Sequence, residues 1–118
     1  LVLFALLMLK HFIADFVLQM PYMLEQKGEY GAKGGIDHAL LHSWGTLLVL
    51  VPALGLTNLV ACFMLALVDG ITHYHIDWAK VNFARGFTPA DRQFWVWIGA
   101  DQLMHQLTYI IIIGIIVA

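Results

Sequence analysis

Four long apolar runs separated by polar stretches make up this chain. The first extends from about Leu1 to Met20 and is stopped by Pro21; at about 1.5 Å per residue it can cross a hydrocarbon core of about 30 Å. A polar connection follows from Pro21 to Asp37, with Gly28, Gly31, Gly34 and Gly35 among Glu25, Lys27, Glu29 and Lys33, which is loop chemistry. Asp37 stands in N-cap position, so a second helix is expected over His38 to Leu54, with Pro52 as a kink or near-terminal residue. Thr57 or Asn58 caps a third helix over Leu59 to Phe83, which tolerates Gly70 inside it as membrane helices often do. In the second polar connection, Lys80 to Gln93, the residues Thr88, Pro89 and Asp91 read as N-cap, first-turn proline and an acid near the helix start. The fourth helix is therefore expected from Pro89 to about Val117, with Trp95 and Trp97 at the level of an interfacial aromatic belt. No internal repeat or low-complexity tract interrupts this order.

Ionisable residues break the apolar runs at a regular interval. In DGITHYHID, Asp69, His73 and Asp77 recur every four residues and so share one helical stripe. The same spacing returns in His11 and Asp15, in His38 and His42, and in Asp101 and His105, one pair in each of the other helices. Such groups cost several kcal/mol each at core or membrane depth unless they face one another, a cavity or a metal.

Composition sharpens the class. Hydrophobic residues are 61% and charged residues 12% of the chain, against about 45 to 50% and about 25% in soluble domains. This reads as an all-α integral membrane protein, and 118 residues suffice for one domain. A net charge of -2 with no basic tract sets nucleic-acid binding aside. The single cysteine, Cys62, excludes an internal disulfide and a thiolate metal motif, and is expected to be a small buried side chain. The chain opens on Leu1 without an initiator Met, so residues upstream are expected. Leu1 to Leu9 resembles a signal-peptide core, but the apolar run continues to Met20 without a small-residue cleavage site, which favours a retained membrane helix.

Four crossings put the two polar connections on one side, and both ends of the chain with the turn from Leu54 to Asn58 on the other. Lys27, Lys33, Lys80, Arg85 and Arg92 all fall on the two-connection side, leaving only Lys10 elsewhere. That side is then cytoplasmic, with both termini outside, in a multi-pass protein of the bacterial inner membrane. Counted from the cytoplasmic end, Asp15 and His11 lie roughly 9 and 15 Å in, Asp77 and His73 roughly 10 and 16 Å, and Asp101 roughly 18 Å, with His38 and His42 in the first turns of their helix. All four helices thus deliver polar groups at similar depth.

Two donors four apart on a helix can bind one ion or orient one another, and helical bundles commonly build metal sites from inward-facing side chains. Imidazole and carboxylate without thiolate suit zinc, manganese or iron; we expect zinc, as one or two ions. The expected ligands are His38, His42, His73 and Asp77, then His11, Asp15 and His105. Asp69 and Asp101, deepest on their helices, are expected as a general base or as acceptors holding His rings in place. The bland alternative is that these groups only hydrogen-bond among themselves. His75 lies about 200° round the helix from His73 and is expected to face away. Asp37 and Asp91 read as caps, Gln19 as a site or inter-helix group, Gln102 as an inter-helix group, and Tyr74 and Trp78 as packing.

The set HFIADFVLQ from His11, with Pro21 and Tyr22 after it, HALLH from His38, DGITHYHID from Asp69 and DQLMH from Asp101 resembles an uncharacterised bacterial and phage membrane family, a domain of unknown function, over nearly the whole chain. It is more loosely similar to inner-membrane proteins predicted to be metal-dependent hydrolases, and the ligand pairs parallel those of soluble all-helical zinc phosphoesterases. The expectation is a transmembrane four-helix bundle with a His and Asp metal site open to the cytoplasm, hydrolysing a lipid or amphiphilic ester or phosphoester. A non-catalytic subunit with a structural metal inside a larger membrane complex is the alternative. Transport of metal or protons ranks third, because Leu47 to Leu54 and Tyr109 to Ala118 hold no group that could relay ions at neutral pH.

Overall fold

The chain is all-helical in the computed structural model, which describes Leu1 to Ala118, and the helix ends follow from proline, glycine and local side-chain chemistry. α1 (Val2–Phe12) passes into one wide π-helical turn, Ile13–Val17, in which the Leu18 N–H donates to the Ile13 carbonyl. It stops there rather than at Met20, because the residue before Pro21 is driven extended; Met20 has φ -82° and ψ 154°. Pro21 then opens a short helix of its own, α2 (Pro21–Gln26), inside the stretch expected to be loop.

Gly31 turns the chain with φ 81°, and α3 (Lys33–Leu54) begins five residues before His38. Asp37 is consequently not a cap: it lies inside α3, accepts a hydrogen bond from the Tyr22 hydroxyl at 2.8 Å and pairs with Lys33. The glycines that suggested a loop serve contact instead. A Cβ at Gly34 would stand 2.5 Å from the Tyr22 carbonyl oxygen, so only glycine lets α2 lie this close to α3. α3 runs through Pro52 and ends at Gly55, φ 80°. After a 3₁₀ turn, Leu56–Asn58, α4 covers Leu59–Phe83. α5 covers Arg92–Val117 and is capped at Asp91, not started at Pro89; the Asp91 carboxylate instead accepts from the Thr88 N–H and hydroxyl at 2.7 and 2.9 Å. Those bonds hold its carboxyl below the usual carboxylate range and keep Pro89 in a turn.

α3 packs on α1, α2 and α4, and α5 closes the set against α4 and α1. Leu7, Leu50, Cys62, Leu65, Tyr109 and Ile112 form an apolar core at the end holding both termini. Elsewhere the usual distribution is inverted. Among 25 buried residues, thirteen are polar or charged and nine are hydrophobic, while Phe16, Leu48, Val60 and Ile111 stand 60 to 78% exposed. An apolar exterior around a polar interior is what a lipid solvent selects. Two helical stretches, Leu56–Phe83 and Arg92–Val117, are long and apolar enough to cross a membrane.

Candidate metal centre

The four-residue spacing acts as the helix geometry requires. α1 and its π turn bring Lys10, His11 and Asp15 inward, α3 brings His38, His42 and Thr46, α4 brings Asp69, His73 and Asp77, and α5 brings Asp101, His105 and Tyr109. All twelve are at most 8% exposed.

One donor group gathers around Asp15. Its Oδ1 lies 3.0 Å from His38 Nε2, 3.0 Å from His42 Nε2 and 3.5 Å from His73 Nε2, and the His38 and His73 nitrogens are 3.1 Å apart. For ligand bonds of about 2.0 to 2.2 Å, a tetrahedron has edges of about 3.3 to 3.6 Å. These four edges are at or somewhat inside that length, and the two from His42 to the other imidazoles stay within 4.8 Å. Two ring nitrogens this close also need a proton or a cation between them, since bare lone pairs repel.

A second group is offset toward α5. Asp77, Asp101 and His105 offer three donors that converge, and His11, His73 and His105 form a third combination between the two. Asp77 faces both ways: Oδ2 is 3.4 Å from His38 Nε2 and 3.3 Å from His73 Nε2, while Oδ1 is 3.7 Å from His105 Nε2. His105 Nε2 and Asp101 Oδ1 stand 3.4 Å apart, and both are buried without a hydrogen-bond partner. Buried polar atoms are nearly always satisfied, so a proton on His105 or a cation between the two is called for. The Nδ1 atoms of His38 and His73 are likewise unpartnered.

Two lysines complete the centre, and neither was read from sequence as part of it. Lys10 Nζ donates to Asp69 Oδ2 at 2.7 Å and to the Tyr109 hydroxyl at 3.0 Å, and lies 3.2 Å from His42 Nδ1. Thr46 also donates to Asp69. Asp69 is thereby held by Lys10 and Thr46 and stands apart from the three donor groups. Lys27 reaches in from the segment after α2 and sits 2.7 Å from Asp77 Oδ2, at 5% exposure. A lysine in mid-helix among apolar residues was the available signal for Lys10. Lys27, among glycines and charges, carried none.

The hydrogen bonds around His42 impose a condition. An ammonium donating to Nδ1 leaves the neutral ring's proton on Nε2, where it donates to Asp15. A metal on His42 Nε2 requires that proton to move to Nδ1 and Lys10 to turn away. His11 meets the Tyr109 hydroxyl at 3.0 Å through Nδ1 and Asp15 Oδ2 at 3.1 Å through Nε2.

The remaining residues fall outside. His75 is exposed and contacts Tyr30 and the Ile71 carbonyl. Gln19 donates to the Asp15 carbonyl at 2.8 Å, and Gln102 donates to Asp101 at 3.1 Å on its own helix rather than joining helices. Trp78 and Tyr74 pack around Tyr30.

Fold and site together define an all-helical protein with an apolar exterior and a buried imidazole and carboxylate centre able to hold a metal ion. Over residues 3–118 the chain matches one family model, and it belongs to that family, described as "Protein of unknown function (DUF3307)". No curated protein and no solved structure matches it.

Proposed function

We propose that this chain is a multi-pass protein of the bacterial inner membrane, a four-helix bundle with both termini on the non-cytoplasmic side, acting as a metal-dependent hydrolase on a lipid or amphiphilic ester or phosphoester. The observation that carries the metal reading is the convergence of the buried Asp15, His38, His42 and His73, whose donor atoms all lie within 4.8 Å of one another, with Asp15 Oδ1 3.0 to 3.5 Å from the three imidazoles. Nitrogen and oxygen donors without sulfur favour zinc, with manganese or iron as the other choices. The hydrolytic reading is supported by the second group. Asp77, Asp101 and His105 are three donors, the number zinc hydrolases typically use with a water in the fourth place, and Asp101 borders a groove on the outside of the molecule. An ion there would supply an acidified water and polarise a carbonyl or phosphoryl oxygen. Asp69, tied to Lys10, is poorly disposed as a base, and Asp101 serves as a donor to the ion.

A second reading has its own support. The Asp15 group offers four protein donors and none of them lines any of the larger cavities, as a closed structural ion would require. On that reading the chain is a metal-stapled subunit of a larger membrane assembly. Both readings meet the same first test, elemental analysis of the purified protein beside a His38→Ala, His42→Ala, His73→Ala variant. About one or two zinc equivalents are expected in the first, with loss in the second. Equal content in the two would remove the centre. Asp101→Asn then separates the readings: hydrolysis of ester or phosphoester amphiphiles should fall while the Asp15 group keeps its ion.

A further inference from the structure

Charge, cavity shape and position narrow what the open part of the centre receives. The cavity beside Asp101 lies between α4 and α5, has a volume of about 290 Å³, and is walled by Ala79, Phe83, Trp97 and Met104, with Asp101 and Lys80 as its charged members. That volume is at the lower edge of the range of about 300 to 1,000 Å³ usual for small-molecule sites. Its two helices are those long and apolar enough to cross a membrane, and Phe83 at the end of α4 with Trp97 near the start of α5 put it toward the end of the span that holds the polar connection.

The charges inside are unbalanced once metal is present. Asp15, Asp69, Asp77 and Asp101 face Lys10, Lys27 and Lys80, which leaves one negative charge in excess with neutral imidazoles. One divalent ion turns this into a single positive excess and two ions into three. A hydroxide brings the one-ion centre to zero and the two-ion excess to two; it is the two-ion centre whose excess a dianionic head group would offset and a neutral ester would not. In a medium of low dielectric constant such an imbalance is costly. Lys80 is the lysine free to answer it. Its Nζ is 3.9 Å from Asp101 Oδ2, too long for a hydrogen bond, and its side chain is 19% exposed where those of Lys10 and Lys27 are each 6%.

We infer that the groove between α4 and α5 is a lateral entry site for an amphiphile bearing a phosphate-type head group, with the chain against Phe83, Trp97 and Met104 and the head drawn by Lys80 to the Asp77, Asp101 and His105 position. This rests on the metal reading above and adds the class of substrate. Two independent observations meet in it: Asp101 Oδ1 and His105 Nε2, buried 3.4 Å apart without a hydrogen-bond partner, and an apolar groove that Asp101 borders, with one loosely held lysine beside it.

The test uses the full chain in micelles, loaded with zinc, its metal content measured by elemental analysis, and an alkyl phosphate brominated along its chain as quencher of Trp97. Saturable quenching is expected, largely absent in Trp97→Phe. Half-quenching should require about tenfold more of the brominated alcohol or trimethylammonium analogue of the same chain, and about tenfold more phosphate probe for Lys80→Met, in line with one charge-assisted hydrogen bond. Inorganic phosphate alone should compete weakly, since it lacks the chain. Equal half-quenching by all three head groups, or undiminished quenching in Trp97→Phe, overturns the inference even where zinc is fully bound. Head-group selectivity in a protein that holds no zinc would support the groove while removing the metal reading.

Discussion

Replacing Lys10 by Met tests the polar interior most directly. Room for the lysine stem comes from Gly45, where a Cβ would stand 2.7 Å from Lys10 Cγ, so Met keeps the stem and deletes the charge. Three contacts go with it, to Asp69 at 2.7 Å, Tyr109 at 3.0 Å and His42 at 3.2 Å. The serious loss is the first. Asp69, 2% exposed, would keep only Thr46 to offset a buried negative charge. Breaking a buried pair from one side costs about 3 to 5 kcal/mol, a large part of a total stability of about 5 to 15 kcal/mol. Removing both charges should be far milder, because two desolvation penalties vanish along with the attraction. Lys10→Met with Asp69→Leu is therefore expected to cost less than Lys10→Met alone, the Thr46 hydroxyl and His42 Nδ1 being the groups newly unsatisfied. Equilibrium unfolding by dodecyl sulfate in mixed micelles, followed by circular dichroism, gives the four corners of the cycle. A single-variant cost below about 1 kcal/mol, or a double variant equal to the sum of the singles, would refute the pair.

Two further outcomes follow from local geometry. A Cβ on Gly70 would lie 2.0 Å from Ser43 Oγ and 3.0 Å from the Ala39 carbonyl oxygen, so Gly70→Ala must part α3 from α4 and should cost about 1 to 3 kcal/mol. Ser43→Gly should restore part of this but not all, since the carbonyl remains; a Gly70→Ala protein with an unchanged unfolding midpoint would count against the close packing. At the start of α5, the Thr88 donors hold the Asp91 carboxyl below its ordinary range, so their stabilisation is complete above the unfolded value of about 3.9 and is lost as pH falls through the lower folded value. Nothing should change near neutrality. Carbon NMR of the Asp91 carboxyl should give a midpoint below 3.9 that rises in Thr88→Ala, and a native midpoint at or above 3.9 would be contrary.

The inward stripe of Asp69, His73 and Asp77 was legible from spacing alone, because a helix turns every four-residue step to nearly the same side. Depth added more, since counting residues from Pro21, Phe83 and Pro89 put donors of four segments at similar depth, although α5 in fact begins three residues after Pro89. Partner choice was not legible. Asp69 and Asp77 share a stripe, yet one is claimed by Lys10 and the other by Lys27, and those lysines come from elements whose placement depends on tertiary contact. The starts of α3 and α5 were missed for a related reason, while α4 begins at Leu59 as expected. Gly34 and Gly35 carry the chemistry of a loop, and only the proximity of Tyr22 and Gln26 makes them the first turn of α3. Asp91 likewise satisfies Thr88 from outside the helix that the Thr88 and Pro89 pair was expected to begin.

Lys27 would have a kinetic consequence for any ion held beside Asp77. It crosses to Asp77 from a segment that otherwise lies at the surface, between Glu25 and Glu29, and covers the carboxylate shared by both donor groups. An ion held there, were it to leave past that carboxylate, would have to wait until this segment lifts and the ammonium withdraws. Release would then be timed by a loop excursion and not by the strength of the donors. Such a latch would let the protein keep its ion through periods of scarcity, so that occupancy records when the chain was assembled more than what surrounds it now.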